Sequence, residues 1–217
     1  MRREEKTDPR LSGIFLRCGR KRTCSPGQML VEKGQPATDI CFIVSGQART
    51  FCMNPDGDNV TLFYIEADNM ICSEALLLDA VVRVSVQAMT PLELRTIPAR
   101  EFLRHCEEEG FPVTELFRPL IARLTLLSDY ICCAHFRENS KKVAYFLHSC
   151  YNRSGEVISF THEQIADIIG INRVSVNRIL NALAKDGVVE LGYKKIQIRK
   201  PQQLKEIFGT VGYFIDD

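Results

Sequence analysis

The sequence predicts an α+β chain: an antiparallel β-rich first half, one long apolar helix, and a C-terminal winged helix-turn-helix. Three observations carry this. Short apolar runs alternate with turn signals up to about residue 98. Over residues 113–136 the apolar side chains recur at steps of three and four. Residues 158–180, ISFTHEQIADIIGINRVSVNRIL, read as two short amphipathic helices about a tight turn.

In the first half, apolar runs at 29–31, 40–44, 48–52, 60–65 and 82–89 are separated by turn-forming stretches. These are Pro26-Gly27, Lys33-Gly34-Gln35-Pro36, Ser45-Gly46, residues 54–58 and Ala67-Asp68-Asn69. Strands of about five residues at intervals near ten predict a sandwich or barrel. After Pro98 the period changes. Residues 99–108 read as a short helix that Gly110-Phe111-Pro112 breaks. The long helix follows, with Leu116, Leu120, Leu124, Leu127, Ile131 and Ala134 on one stripe and Pro119 in its tolerant first turns. That stripe is longer than one small domain needs to cover a sheet. It predicts pairing with a second copy, the alternative being a helix packed wholly inside its own domain.

The C-terminal segment carries the sharpest signal. Thr161 and Gln164 have capping-box spacing, and Ile165, Ile168 and Ile169 form the apolar face of a first helix. Gly170 falls where the chain must turn, and Asn172 can cap a second helix with apolar Val176, Ile179, Leu180 and Leu183. Arg173, Ser175, Asn177 and Arg178 are left outward. Two short alternating runs at 187–191 and 196–198, with Gly192-Tyr193-Lys194-Lys195 between them, form a hairpin wing. This is the layout of a DNA reader. Arg173 and Arg178 suit phosphate or a guanine edge, and Asn177 suits adenine. Thr161, His162 and Ser175 suit phosphate.

Composition bounds the rest. The chain has 217 residues, 45% hydrophobic and 25% charged, as in an ordinary globular protein with room for one large or two modest domains. No apolar stretch of about 18 residues exists, and MRREEKTDPR has no apolar core behind its charges, so no membrane partner, no signal peptide and a cytoplasmic location are expected. Net charge is +1, but residues 137–217 hold twelve Lys+Arg against nine Asp+Glu, while residues 1–136 hold sixteen against eighteen. The mild basic excess sits with the DNA reader. The nine cysteines follow no repeating interval, and no CxxC occurs. In a reducing compartment most are expected to be small buried hydrophobes. No phosphate loop, nucleophile elbow, HExxH or paired-acid motif is present, so an enzyme is not expected.

The order of parts resembles the Crp/Fnr-type transcription regulators, the cyclic-AMP-receptor-like family, from about Cys24 to Phe208. Residues 161–180, the segment Phe136-Arg137-Glu138-Asn139-Ser140-Lys141-Lys142-Val143-Ala144, Gly34-Gln35 and Ser45-Gly46 carry it. The resemblance implies an N-terminal cyclic-nucleotide-binding-like jelly roll over 1–110, a dimerisation helix and hinge over 111–137, and a winged helix-turn-helix over 138–217. It implies a homodimer on a palindromic DNA site, with RNA polymerase as a further partner and an effector in an apolar pocket between roll and long helix. An effector there would act by reorienting the C-terminal domain about residues 136–139. Many members carry a glutamate where this chain has Val174, whose methyls suit a thymine and so an A·T-rich half-site.

Members that bind cyclic AMP carry a Gly-Glu pair and an Arg-Ser or Arg-Thr pair around the phosphate. Here the first reads Ser73-Glu74, and Arg83 stands one step out of register, a shift that turns a strand side chain to the other face. The effector expected is therefore not cyclic AMP but another small organic molecule, with Glu74, Arg83 and Ser128 as candidate contacts. Haem is the alternative, with Cys72, Cys106, His105, Cys132 and His135 as candidate ligands. Iron–sulfur members use clustered N-terminal cysteines, which Cys18 and Cys24 do not reproduce. Two other readings of function remain: a haem- or redox-sensing member, and a regulatory module acting on a protein partner, which the winged helix-turn-helix opposes.

Overall fold

The computed structural model describes residues 8–77 and 80–209. The described chain divides into two compact units, with the boundary between Ala122 and Arg123.

The first unit opens with α1 (Pro9–Cys18), which has proline at its first position and Asp8 accepting from the Arg10 backbone N–H at 2.8 Å. Eight strands follow: β1 (Arg20–Cys24), β2 (Met29–Val31), β3 (Asp39–Ser45), β4 (Gln47–Met53), β5 (Asn59–Glu66), β6 (Asn69–Ile71), β7 (Ser85–Ala88) and β8 (Leu92–Pro98). A 3-10 turn over Ser73–Leu76 precedes β7, and α2 (Ala99–Glu108) follows β8. The strands form two antiparallel sheets, ordered β1-β8-β3-β6 and β2-β7-β4-β5.

Strand β3 explains the unbroken apolar run at 40–44. Cys41 and Ile43 face a core shared with Ala48, Ile65, Val86, Ala88 and Leu94 from both sheets. Ile40 and Phe42 face a second core, with Leu11, Ile14 and Phe15 of α1 and Phe102 of α2. A strand buried on both faces reads as continuous hydrophobicity rather than alternation. The second core is aromatic, Phe15 lying 5.4 Å from Phe42 and 5.1 Å from Phe102 between ring centroids. Each such side chain contributes about 1.5–3 kcal/mol by leaving water.

The expected strand over 82–89 is shorter. Residues 81–82 bond instead to the turn at 34–36: Gly34 N–H donates to Val82 C=O, Val82 N–H donates to Gln35 C=O, and Pro36 bridges Val81. Helix α3 (Val113–His135) contains Pro119 in its second turn. Leu116 is buried in the α1–α2 core, whereas Phe117, Ile121, Leu124 and Ile131 are 54–66% exposed.

The second unit holds the C-terminal part of α3, then α4 (Asn139–Ser154), β9 (Val157–Ile158), α5 (His162–Ile169), α6 (Arg173–Lys185), β10 (Val189–Gly192), β11 (Lys195–Ile198) and α7 (Pro201–Phe208). Its core joins Tyr145, Phe146, Ile165, Val176, Leu180, Val188, Ile196 and Leu204. Between α3 and α4, Arg153 and the Tyr145 hydroxyl both donate to the Asp129 carboxylate, and Cys133 Sγ donates to the Lys142 carbonyl at 3.1 Å. Burial raises the Asp129 carboxyl above its usual range, against the lowering pull of Arg153 and Tyr145.

Candidate nucleic-acid interface

The reading helix is held by its own sequence. Thr161 Oγ1 accepts from Gln164 N–H at 3.2 Å, and Gln164 Oε1 accepts from Thr161 N–H at 2.9 Å, closing the capping box of α5. Gly170 ends α5 with φ +67°, a left-handed conformation that disfavours a side chain. Asn172 Oδ1 then accepts from Ser175 N–H at 2.7 Å and starts α6. Val176, Leu180 and Leu183 are buried, so the opposite face of α6 turns outward.

That face presents Arg173, Val174, Asn177 and Arg178, all exposed, with Val174 at 78%. Ser175 is half-buried beside them. Arg173 meets Glu163 at 3.3 Å, but both side chains are about two-thirds exposed, and such a surface pair is worth about 0–1 kcal/mol. A phosphate can displace it. Thr161 and His162 sit half-buried at the start of α5. The Thr161 hydroxyl, accepting within the box, still has its proton to donate to an anion.

The wing consists of β10 paired with β11, and its tip is Tyr193-Lys194. Tyr193 is 89% exposed, Lys194 has φ +52°, and its ammonium stands 5.5 Å from the Tyr193 ring centroid. Glu190 bonds Arg199 across the base, and the arginine holds that carboxyl below the usual range. Strand β9 pairs with β11, so the segment entering α5 and the wing share one three-stranded sheet. The sequence reading included the wing but assigned no DNA contact to Tyr193, Lys194 or Lys195. Their exposure and the basic pair at the tip mark them.

The effector candidates are less gathered. Glu74 is half-buried on the 3-10 turn after β6. The Ser73 hydroxyl beside it and the Thr50 hydroxyl on β4 are buried and have no hydrogen-bond partner among the described residues. Arg83 precedes β7, is exposed, and has the parity of Ser85 and Gln87 rather than of buried Val86 and Ala88. Among the described residues no ion pair or hydrogen bond joins it to Glu74. Ser85 Oγ is engaged by Lys33 N–H at 3.1 Å. Ser128 belongs to the other unit, is exposed, and donates to the Leu124 carbonyl at 2.9 Å.

Of the candidate haem ligands, Cys72 and Cys106 are buried, and burial with Glu109 and Glu107 nearby pushes the Cys106 thiol up to about 11. His105 pairs with Glu108 at 3.3 Å. Cys132 is exposed, and His135 Nδ1 lies 2.8 Å from the Ile131 carbonyl oxygen. Among the described residues no group of three or more His, Cys, Asp and Glu could hold a metal.

Known proteins match both units. The sequence pattern of the Crp-like helix-turn-helix domain matches residues 141–207, and that of the cyclic nucleotide-binding domain matches residues 21–109. The chain belongs to the Crp/Fnr family of transcription regulators. Members of this family bind DNA and regulate transcription rather than catalyse reactions. The chain is 25% identical over 188 residues to the cyclic AMP receptor protein of Thermus thermophilus, covering 86% of this chain and 87% of that one. It is 25% identical over 185 residues to a global nitrogen regulator of Nostoc, covering 81% and 83%. In fold it is similar to FixK2 from Bradyrhizobium japonicum, with a TM-score of 0.71 at 17% identity, covering 89% of this chain and 99% of that one. It is also similar to a CooA mutant from Carboxydothermus hydrogenoformans, with a TM-score of 0.73 at 22% identity, covering 91% and 90%. Among the described residues of this Crp/Fnr member, no helix is long and apolar enough to cross a membrane.

Proposed function

We propose that this Crp/Fnr regulator works in the cytoplasm as a homodimer. Each protomer places α6 in the major groove of one half of a palindromic, A·T-rich site, and an effector in the β-roll other than cyclic AMP sets the affinity. The observation that carries the reading is the outward face of α6, where Arg173, Val174, Asn177 and Arg178 stand exposed on a helix started by the Asn172 side-chain cap. Arg173 and Arg178 reach phosphate or guanine, Asn177 reaches adenine, and Val174 packs on a thymine methyl. Thr161, His162 and Ser175 hold phosphates and set the register.

The dimer reading rests on α3. Phe117, Ile121, Leu124, Ser128, Ile131 and His135 follow one another at alternating steps of four and three, the spacing of a parallel two-stranded seam, and the four apolar ones are exposed. The domains proposed are the roll over 1–110, the seam and hinge over 111–137, and the reader over 138–217. The effector shifts an orientation equilibrium about residues 136–139, and RNA polymerase is the downstream partner. The exposed Arg83 and the engaged Ser85 hydroxyl argue against a cyclic-nucleotide phosphate cradle, leaving Glu74 and Ser128 as the effector contacts to test.

Selection from a random duplex pool tests the site: an A·T-rich palindrome with half-sites one helical turn apart is expected, and a strongly preferred TGTGA- or TTGAT-like half-site would overturn the Val174 argument. Titration calorimetry with cyclic AMP tests the effector, and tight binding would reinstate it. DNA affinity that no effector, oxidant or gas changes would leave a constitutive regulator.

A further inference from the structure

The interior of the β-roll holds two thiols brought together by backbone geometry. Cys41 on β3 is directly paired with Ile71 on β6, and both face the core between the sheets. Cys72 is the next residue, so strict alternation would turn it to the opposite core with Met70. It does not go there. Cys72 adopts φ +62°, a left-handed conformation uncommon for a residue with a Cβ, and its side chain enters the same core as Cys41. The Cys72 side chain lies near enough to Cys41 to act on its thiol. A position one step beyond a direct antiparallel partner has its Cα about 6 Å away, inside the range a disulfide spans.

We propose that Cys41 and Cys72 are an oxidation site: a peroxide converts them to an intramolecular disulfide that controls the effector segment of the roll. Cys72 caps the 3-10 turn carrying Ser73 and Glu74, and its carbonyl accepts from Ala75 N–H at 3.1 Å. A disulfide would fix Cys72 against β3 and with it the turn that presents Glu74. The control therefore rests on the effector reading above, while the disulfide itself does not. The chemistry starts at Cys41, whose thiol is held below its ordinary range by the Cys72 side chain and, from β1, by the Arg22 guanidinium, against burial and Asp39. The Cys41 thiolate attacks one peroxide oxygen and the O–O bond breaks. The other oxygen leaves as hydroxide and takes up the thiol proton to become water, while the attacked oxygen keeps its own hydrogen, giving the neutral sulfenic acid. The Cys72 sulfur then displaces the sulfenic hydroxyl as a second water, taking up the thiol's own proton. Two thiols lose two electrons, and one peroxide becomes two waters.

The test uses the full-length reduced protein, exposed to a small excess of hydrogen peroxide, blocked with iodoacetamide and digested without reductant. Mass spectrometry is expected to find the peptides containing residues 41 and 72 joined and lighter by two hydrogens, with two of the nine thiols lost and both recovered with dithiothreitol. Cys41→Ala and Cys72→Ala, each checked for folding by circular dichroism, should give no such peptide. DNA affinity in the presence of the link should shift by about fivefold or more and return on reduction. Oxidation that produces no 41–72 link, or a link that leaves DNA affinity unchanged, overturns the proposal. Reduced protein that binds no DNA would instead defeat the α6 reading, and the peptide map would still decide the disulfide.

Discussion

Arg178 is exposed on α6 and makes no ion pair among the described residues, so replacing it should remove the proposed contact to DNA and little else. Arg178→Ala should weaken specific binding by about 1–3 kcal/mol while leaving the melting temperature unchanged. Competition of labelled specific duplex by unlabelled specific and random duplexes reads both affinity and discrimination. Equal affinity for the best site in parent and variant would remove α6 as the reader. Thr161 is the contrasting case, because its hydroxyl closes the α5 capping box. Thr161→Ala should cost about 1 kcal/mol of stability, seen as a lower unfolding midpoint, in addition to any lost phosphate contact. Thr161→Ser keeps the hydroxyl and should restore most of both.

At the scale of elements, the turn between α5 and α6 turns on one dihedral angle. A Cβ at Gly170 would meet no atom within 4 Å, so Gly170→Ala is opposed only by its φ of +67°. It should cost about 1 kcal/mol, and Gly170→Asn less, by chemical denaturation. Helices α4 and α7 supply a pH dependence. His148 packs edge-on against Phe208 at 5.3 Å, and burial, with Lys205 second, holds its imidazole below the ordinary range. The folded state thus takes up its proton later than the unfolded state does. Stability is fully present above about pH 6.5 and falls as pH drops through that value toward the lower folded pKa. Thermal melts from pH 7.5 to 5 should show this, and His148→Gln should flatten it.

What was legible in the sequence follows from period and chemistry. The caps at Thr161 and Asn172, the Gly170 turn and the wing were readable because each is a local interaction between neighbouring residues. Strand β1, Arg-Lys-Arg-Thr-Cys, was not: it is an edge strand whose basic residues blunt the sheet margin and carry no apolar period. Strand β6 is three residues long, and the left-handed Asp68 before it reads as part of a turn. Helix α1 buries only Leu11, Ile14 and Phe15, too few for a periodic signal. Strand β9 is visible only through its pairing with β11, nearly forty residues later. Of the site, the helix face was legible, whereas the sharing of one sheet by wing and reader entrance is tertiary. The Cys41–Cys72 contact depends on a left-handed residue that no pattern announces.

At the scale of the whole molecule, the proposed seam on α3 governs assembly. Leu124 is 66% exposed at the middle of its apolar seam. Leu124→Glu should turn the dimer into monomers in sedimentation velocity and lower the affinity for a palindrome by more than tenfold, while half-site binding persists weakly. A folded variant that remains dimeric would show that the seam lies elsewhere. The Asp129–Arg153 pair belongs to the same scale, since it ties the end of α3 to α4 beside the proposed hinge. Arg153→Ala leaves a partly buried carboxylate without its cation and should loosen that junction, read as faster amide exchange at 136–142.

The aromatic cluster of the reader has a further consequence. Phe208, near the end of α7, stands 5.2 Å from Tyr145 of α4 and 6.3 Å from Phe136 between ring centroids. Synthesis delivers these parts in order, and a domain closes only when its pieces are present. The α1–α2 core of the roll is complete once Leu116 has emerged, but the DNA-reading core waits for its last helix. A nascent chain therefore carries a finished roll and no reader until translation has passed residue 208. Until Phe208 is in place, Tyr145 and Phe136 lack the ring that packs against both.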